Sequence, residues 1–371
     1  MIKINYPSDP IAKLKFNNEY YYSIKNKVNE AKIDDTLNRI NFKGTSLNFK
    51  ILLTSTFEDL IEIKNVLELN FLFFSVKKKE FNKLFNYKSL QPTIANAFMK
   101  MNKKRSIDFC SCYYCNIDFI NVFNDTGEYK SKVDFINAAS DHELSLIPEV
   151  AAATIRDIKN NRPIVDLTLT FLKPAKRKIF NSISLREINS LKNHFTLDHF
   201  LPQYNFQYLS LSLYNLIPSC YSCNSKFKGI KEFKDDNNLI YLSPSCDLFL
   251  LETNPLFKLY FKQGKNENNT KKLSDFRIEF DSNLHGEEQF LDIFKIKGRY
   301  YFHKREALNL ILKRQIYSDS NIREISQALR FIRDEATIKK DLFGSSIFNP
   351  EEYNQPLTKY KKDIARKIGI I

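Results

Sequence analysis

Apolar residues recur at helical spacing through much of the first hundred positions. "DPIAKLKFNNEYYYSIKNKVNEA", Asp9–Ala31, has a polar start followed by Ile, Leu, Phe and Tyr three and four apart. "STFEDLIEIKNVLELNFLFF", Ser55–Phe74, opens on two hydroxyl residues, carries Glu58 and Asp59 in its first turn and continues as a stripe. Pro92 is expected to start a further helix, "PTIANAFMKM". The period changes over residues 106–124, where "CSCYYCNIDFINVF" is a Cys cluster leading into a β-like run. From Asp125 to about Ser190 the pattern is less regular. It holds a helix, "PEVAAATIRDIKN", and a candidate strand, "IVDLTLTF". After Asp235, "NNLIYLSP" reads as a strand, and "FRIEF" with "QFLDIFKIKG" as a further pair. Helices are expected in "HKREALNLILKRQIY", "NIREISQALRFIRDEA" and the basic, amphipathic "LTKYKKDIARKIGII". These elements predict an α+β chain with three regions. Residues 1–100 are mainly helical, 101–240 are a core with an insertion at about 125–190, and 241–371 are strands and helices.

The length, 371 residues, suits two or three domains with at least one sizeable core. The net charge of +14 favours a polyanionic partner, most simply nucleic acid. Charge alone does not decide this, because richness in Lys, Asn, Ile, Phe and Tyr with no Trp is also what an AT-rich genome produces. The opening "MIKINYPSDPIAKLKF" has no continuous apolar core. The longest apolar run, "LNFLFFSV" at Leu69–Val76, is less than half of the roughly 20 residues a membrane span needs. A soluble, cytoplasmic protein with no membrane partner is therefore expected. In a reducing compartment the six Cys read as candidate metal ligands rather than as disulfides.

Cys112 and Cys115 form one C-x-x-C; Cys220 and Cys223 form another. Two such pairs are the usual way to build a tetrahedral four-thiolate zinc site. The competing reading is two unrelated reduced pairs. The wide separation of the pairs requires an insertion between them, for which the irregular 125–190 stretch is the candidate. "CSCYYC" offers a second register through Cys110, but Cys112 gives the standard two-residue gap. Cys246 stands alone and is expected to be buried.

Between the two pairs lies "FTLDHFLP", and the second pair sits in "YNLIPSCYSCNSKFKG". The order of C-x-x-C, an apolar strand ending in Asp-His, an Asn, and then C-x-x-C-Asn with Lys close behind resembles the HNH (ββα-metal) endonuclease family. The resemblance covers residues 112–115 and about 194–229, not the flanking regions. It implies a ββα-metal core with zinc knuckles and hydrolysis of phosphodiester bonds in DNA. Carried over by residue, it implies His199 as general base, and Asp198 and Asn224 as ligands of a catalytic divalent ion, Mg2+ or Mn2+. Asn215 is then the residue fixing the loop that presents His199. The chemistry explains these residue types. A neutral imidazole can take a proton from water near pH 7. A carboxylate and an amide oxygen can hold a hard cation and leave sites open for phosphate and water. Asn rather than His at position 224 favours a hard metal.

Lys226 and Lys228 follow Asn224 as candidate phosphate contacts, and Lys103, Lys104 and Arg105 precede the first knuckle. Each position also has an ordinary structural reading. Asn215 can hold a turn, Asn224 can cap a helix and the lysines can be solvated faces. His194 lies close enough in sequence to approach the same site, whereas His142, His285 and His303 lack ligand spacing and are assigned to structure. Alternatives of a different class are a non-catalytic zinc module that binds nucleic acid or a protein partner, and an RNase on the same core.

Overall fold

The computed structural model describes residues 1–69, 83–104, 106–107, 109–124, 129–145, 147–184, 191–234, 238–254, 256–281, 286–329, 332–349 and 354–371. It mixes many helices with small two-stranded sheets, an α+β arrangement. The chain divides into two compact units. One joins Met1–Asn121 to Phe195–Ile371; the other is Val122–His194.

In the Val122–His194 unit, four helices, Lys132–Ala138, Asp141–Ser145, Ala152–Asn160 and Pro174–Ser182, close over Phe135, Ile136, Leu144, Ile158 and Phe180. The guanidinium of Arg162 donates to the carbonyls of Ile136 (2.8 Å) and Ala139 (2.7 Å), groups that a helix end leaves unpaired. The expected strand at 164–171 does not form. Asn137 takes both backbone groups of Ile164, its Oδ1 accepting from the amide and its Nδ2 donating to the carbonyl, each at 2.7 Å. Asp166 accepts from the Thr168 amide, and Leu169 adopts a positive φ of 45°. With its ladder groups spent on side chains, this apolar run becomes a series of turns.

The larger unit begins with helices Pro10–Ile24, Glu30–Leu37, Phe49–Thr54, Phe57–Leu69 and Tyr87–Lys103. Asp9 caps the first through the Ala12 amide at 2.8 Å, and Asn86 caps the last, six residues before Pro92. Pro92 therefore lies inside that helix rather than at its start. These helices grip the segment that runs between the two site strands. The Tyr20 hydroxyl donates to the Leu211 carbonyl (2.8 Å), Ser212 donates to the Leu52 carbonyl (2.7 Å), and Phe57 meets Phe200 edge-on at 5.2 Å.

The C-terminal part packs on the first knuckle. Asn116, at φ 52°, donates from Nδ2 to the Gln355 carbonyl (2.8 Å) and accepts at Oδ1 from the Lys359 amide (3.0 Å). Two expected strands are helical. The 237–244 run gives a short helix, Leu239–Leu242, that buries Leu239 and Leu242. The 289–298 run spans the end of Glu287–Ile293, its cap Phe294 and the start of Ile296–Phe302, and Phe290 and Phe294, one turn apart, both reach the core. Phe276–Phe280 instead pairs antiparallel with Phe257–Phe261. The helices Lys304–Ile316, Asp319–Ala328, Glu335–Phe343 and Thr358–Lys367 follow. Lys359 was expected on a basic surface, but it is buried and ion-paired with Asp363 at 2.9 Å. Among the described residues no helix is long and apolar enough to cross a membrane.

Candidate metal cluster and adjoining cleft

The two knuckles meet. The sulfurs of Cys112, Cys115, Cys220 and Cys223 are all buried and lie within 4.8 Å of one another. Tetrahedral thiolates at about 2.3 Å from a zinc ion would sit roughly 3.8 Å apart, so the cluster has nearly that size. Four soft donors with no carboxylate among them suit a metal such as zinc. Backbone amides point at the sulfurs as knuckles require, Ile117 to Cys115 and Cys223 to Cys220, both at 3.4 Å. Cys110 stays outside the cluster, half-buried, which resolves the choice of register. Cys246 is buried and donates to Glu58.

Arg299 bridges the two knuckles. Its guanidinium donates to Cys223 (3.2 Å) and Cys115 (3.3 Å), pairs with Asp118 (2.9 Å), and lies over the Phe227 ring. Burial opposes ionisation of Cys115. Hydrogen bonds from the other three sulfurs and the charge of Arg299 nonetheless hold its thiol well below the usual range. Desolvation and the neighbouring sulfurs push the Cys223 thiol up. The Tyr300 hydroxyl donates to the Cys115 carbonyl at 2.6 Å, so the helix carrying Arg299 is itself fastened to the knuckle.

The Asp-His strand and its partner lead directly to this cluster. Thr196–His199 pairs antiparallel with Leu216–Ser219, setting Asp198 opposite Ile217 and His199 opposite Leu216. Ser219 precedes Cys220, and the knuckle opens into a wide helical turn, Ser222–Lys228, closed by a bond from the Gly229 amide to the Asn224 carbonyl (2.7 Å). Hairpin, knuckle and helix bring Asp198, His199 and Asn224 to the wall of one cleft of about 580 Å³, with Gln203, Tyr204 and Ile230 around them. Ligand-sized clefts run from about 300 to 1,000 Å³.

His199 Nε2 lies 2.9 Å from the Ser210 carbonyl. A carbonyl can only accept, so Nε2 carries the hydrogen and Nδ1 keeps its lone pair. Burial pushes the imidazole pKa down to about 4; the Ser210 bond opposes this, and the charge of Lys228 adds to it. Tyr87 meets the ring edge-on at 4.4 Å and limits its rotation. Asn215 is fully buried. Its Oδ1 accepts from the Leu201 amide (2.8 Å) and its Nδ2 donates to the carbonyls of Leu201 and Leu209 (both 3.1 Å), clamping the loop after His199. Asn224 is half-buried, with a long contact from Nδ2 to the Leu197 carbonyl (3.4 Å) that leaves Oδ1 for the cleft.

Asp198 is 3% exposed and accepts at one oxygen, Oδ2, from the Tyr114 hydroxyl (2.6 Å) and the Lys228 ammonium (3.0 Å). Burial pushes its carboxyl above the usual range, while Lys228 and Tyr114 pull it back. Lys228, expected as a phosphate contact, is turned inward. It is 1% exposed and also donates to the His199 carbonyl at 2.6 Å. Lys226 is exposed, as are Lys103 and Lys104, the last paired with Glu19 at 2.9 Å. Arg105 and His285 lie outside the described residues. His194 is exposed and ends the other unit.

Tyr114, Ser210 and Arg299 were not singled out by sequence reasoning. Tyr114 alone had a local signal, its place inside the first C-x-x-C; the other two reach the site only through folding. No protein-family model, curated protein or solved structure matches this chain.

Proposed function

We propose that the protein is a metal-dependent endonuclease of the HNH (ββα-metal) type, hydrolysing phosphodiester bonds in DNA, with zinc in the four-cysteine cluster. The supporting observation is that Asp198, His199 and Asn224 line one cleft on a hairpin and helix that continue into that cluster. In this reading His199 Nδ1 takes a proton from a water, and the water oxygen attacks phosphorus opposite the leaving 3′ oxygen. The Ser210 carbonyl holds the required tautomer, and Asn215 keeps the loop bearing that carbonyl in place. Asp198 Oδ1 and Asn224 Oδ1 are the oxygens that would hold Mg2+ or Mn2+, a donor set small enough for an ion that keeps several waters. When bound, that ion supplies positive charge to the scissile phosphate. Lys228 fixes the carboxylate from behind, and Lys226 is the solvent-facing candidate for the DNA backbone, with Lys103 and Lys104 as further basic residues.

Purified zinc-loaded protein with Mg2+ or Mn2+ should nick supercoiled plasmid, and His199→Ala should slow this by about 100- to 10,000-fold while leaving the far-UV dichroism intact. The acid limb of the rate should lie well below the ordinary histidine range, because the imidazole stays neutral down to about pH 4. Undiminished nicking by His199→Ala would remove the assigned base. One observation favours a second reading, a non-catalytic zinc module for nucleic acid or protein. The Asp198 carboxylate is almost wholly buried and already neutralised by Lys228. Binding without cleavage of DNA or RNA, with either metal, would select that reading. Cleavage of RNA alone would assign an RNase.

A further inference from the structure

The turn that follows His199 presents an aromatic ring with nothing packed on it. Residues Pro202–Phe206 fold back on themselves, with the amides of Asn205 and Phe206 donating to the Pro202 carbonyl at 3.1 and 3.0 Å. Asn215 holds the start of this turn by both backbone groups of Leu201, and Phe200 is stacked on Phe233 at 4.9 Å, so its base is rigid. Tyr204 nonetheless stands 83% exposed on the cleft wall. No ring contact or hydrogen bond of its side chain is found among the described residues. Ile230, 76% exposed, lines the same cleft from beyond the helix end. Gln203, beside Tyr204, adds an amide with donors and an acceptor.

Single exposed apolar residues are common and carry no meaning by themselves. The combination here is different. A flat ring, an aliphatic side chain and an amide share one cleft with the imidazole, carboxylate and amide of the candidate site, on a turn clamped from below. A phosphate backbone alone has no use for a bare ring and an aliphatic wall. A nucleobase has a flat face to stack and an edge to hydrogen-bond, and it offers both only when it is out of a duplex. We propose that Tyr204 is a base-stacking residue, with Ile230 closing the other side and Gln203 facing the base edge. The preferred substrate is then a nucleic-acid strand with an unpaired base next to the cleaved phosphate. This rests on the nuclease reading for the cleavage step, but the binding step can be tested without it.

The test uses the full-length, zinc-loaded chain and 15-nucleotide thymidine oligonucleotides carrying a fluorophore, either intact or with one abasic position moved along the strand. Binding is read by fluorescence anisotropy in the His199→Ala background, so that no cleavage intervenes. Tyr204→Ala should weaken binding of the intact strand by about 5- to 150-fold, the range for one stacked base, and Tyr204→Phe should retain it. For one placement of the abasic position the strand should bind His199→Ala protein weakly, and Tyr204→Ala should weaken it no further. With His199 in place, single strands should be cut faster than the matching duplex. Equal losses for intact and abasic strands, or a Tyr204→Ala protein that binds normally, would overturn the inference, as would a protein that binds no strand at all. Stacking without any cleavage would retain the Tyr204 assignment and reject the nuclease reading. Because Tyr204 is solvent-facing, its variants should unfold at the same denaturant concentration as the parent, which checks that any loss is local.

Discussion

Replacing Lys228 with Met tests whether the site is held by a buried ion pair. The ammonium of Lys228 and the carboxylate of Asp198 are 3.0 Å apart, with side chains 1% and 4% exposed. Lys104 and Glu19 make an equally short pair, 2.9 Å, but their side chains are 58% and 33% exposed. Distance alone would make the two pairs equivalent, so burial decides. Removing one partner of a buried pair leaves a desolvated charge and costs about 3–5 kcal/mol, whereas an exposed pair contributes roughly 0–1 kcal/mol. Lys228→Met should therefore lower the free energy of unfolding by about 3–5 kcal/mol, and Lys104→Met by less than about 1 kcal/mol. The Lys228 substitution also strips a donor from the His199 carbonyl, which adds to the loss.

The double variant Asp198→Asn with Lys228→Met separates pairing from packing. Asn accepts from Tyr114 without carrying charge, and Met fills the volume of the lysine stem. The double variant should be more stable than the sum of the single losses predicts, by about 2 kcal/mol or more. Guanidinium titrations on zinc-loaded protein, followed by far-UV circular dichroism because the chain has no Trp, provide the measurement. Losses that add within about 0.5 kcal/mol would show that the two charges do not support each other.

Asn215→Ala removes three hydrogen bonds and leaves buried backbone groups of Leu201 and Leu209 unpaired, so it should cost about 3–5 kcal/mol in the same titration. If the protein remains folded, Asn215→Ala should also reduce nicking, through displacement of the loop that carries the Ser210 carbonyl. Arg299→Met should speed metal release to a colorimetric chelator several-fold, because two thiolates lose a cationic donor, and Arg299→Lys should restore part of the retention. Unchanged release from Arg299→Met would limit Arg299 to packing.

The sequence is most legible where spacing encodes chemistry. Two C-x-x-C pairs more than a hundred residues apart signalled a four-sulfur site, and the sulfurs converge. The strand expected to end in Asp198-His199 forms, and it pairs with Leu216–Ser219. Caps were readable too. Thr56 accepts from the Asp59 amide at the start of the helix that the acidic first turn marked. The misreadings share a cause. Short apolar runs such as 239–242 and 289–298 do not reveal their period until something packs on them, and Phe294 becomes helical core because Tyr114 stacks on it at 4.3 Å. Lysine is the other blind spot. Lys228 and Lys359 look like solvated basic positions in sequence, and both are buried because an aspartate far away or one turn along receives the ammonium.

Tyr114 changes what the cysteine cluster does for the cleft. The residue lies between two of the four sulfur ligands, its hydroxyl bonds Asp198, and its ring stacks on Phe294, which caps the helix Glu287–Ile293 just before the one that carries Arg299. Its position is fixed by the knuckle on one side and by that helix on the other. The second knuckle continues into the turn that carries Asn224 and Lys228, and Lys228 reaches back to the same carboxylate oxygen that Tyr114 holds. Both donors to Asp198 Oδ2 therefore come from segments whose geometry depends on the sulfurs staying together. Separating the knuckles would withdraw the hydroxyl and the ammonium at once. The carboxylate would then be left desolvated with no donor, the state that burial penalises most. A cluster whose cysteines do not line the cleft can thus control the charge of the cleft. The coupling requires no moving part, only two short chain segments that leave the sulfurs and meet, by one hydrogen bond and one ion pair, at one carboxylate oxygen.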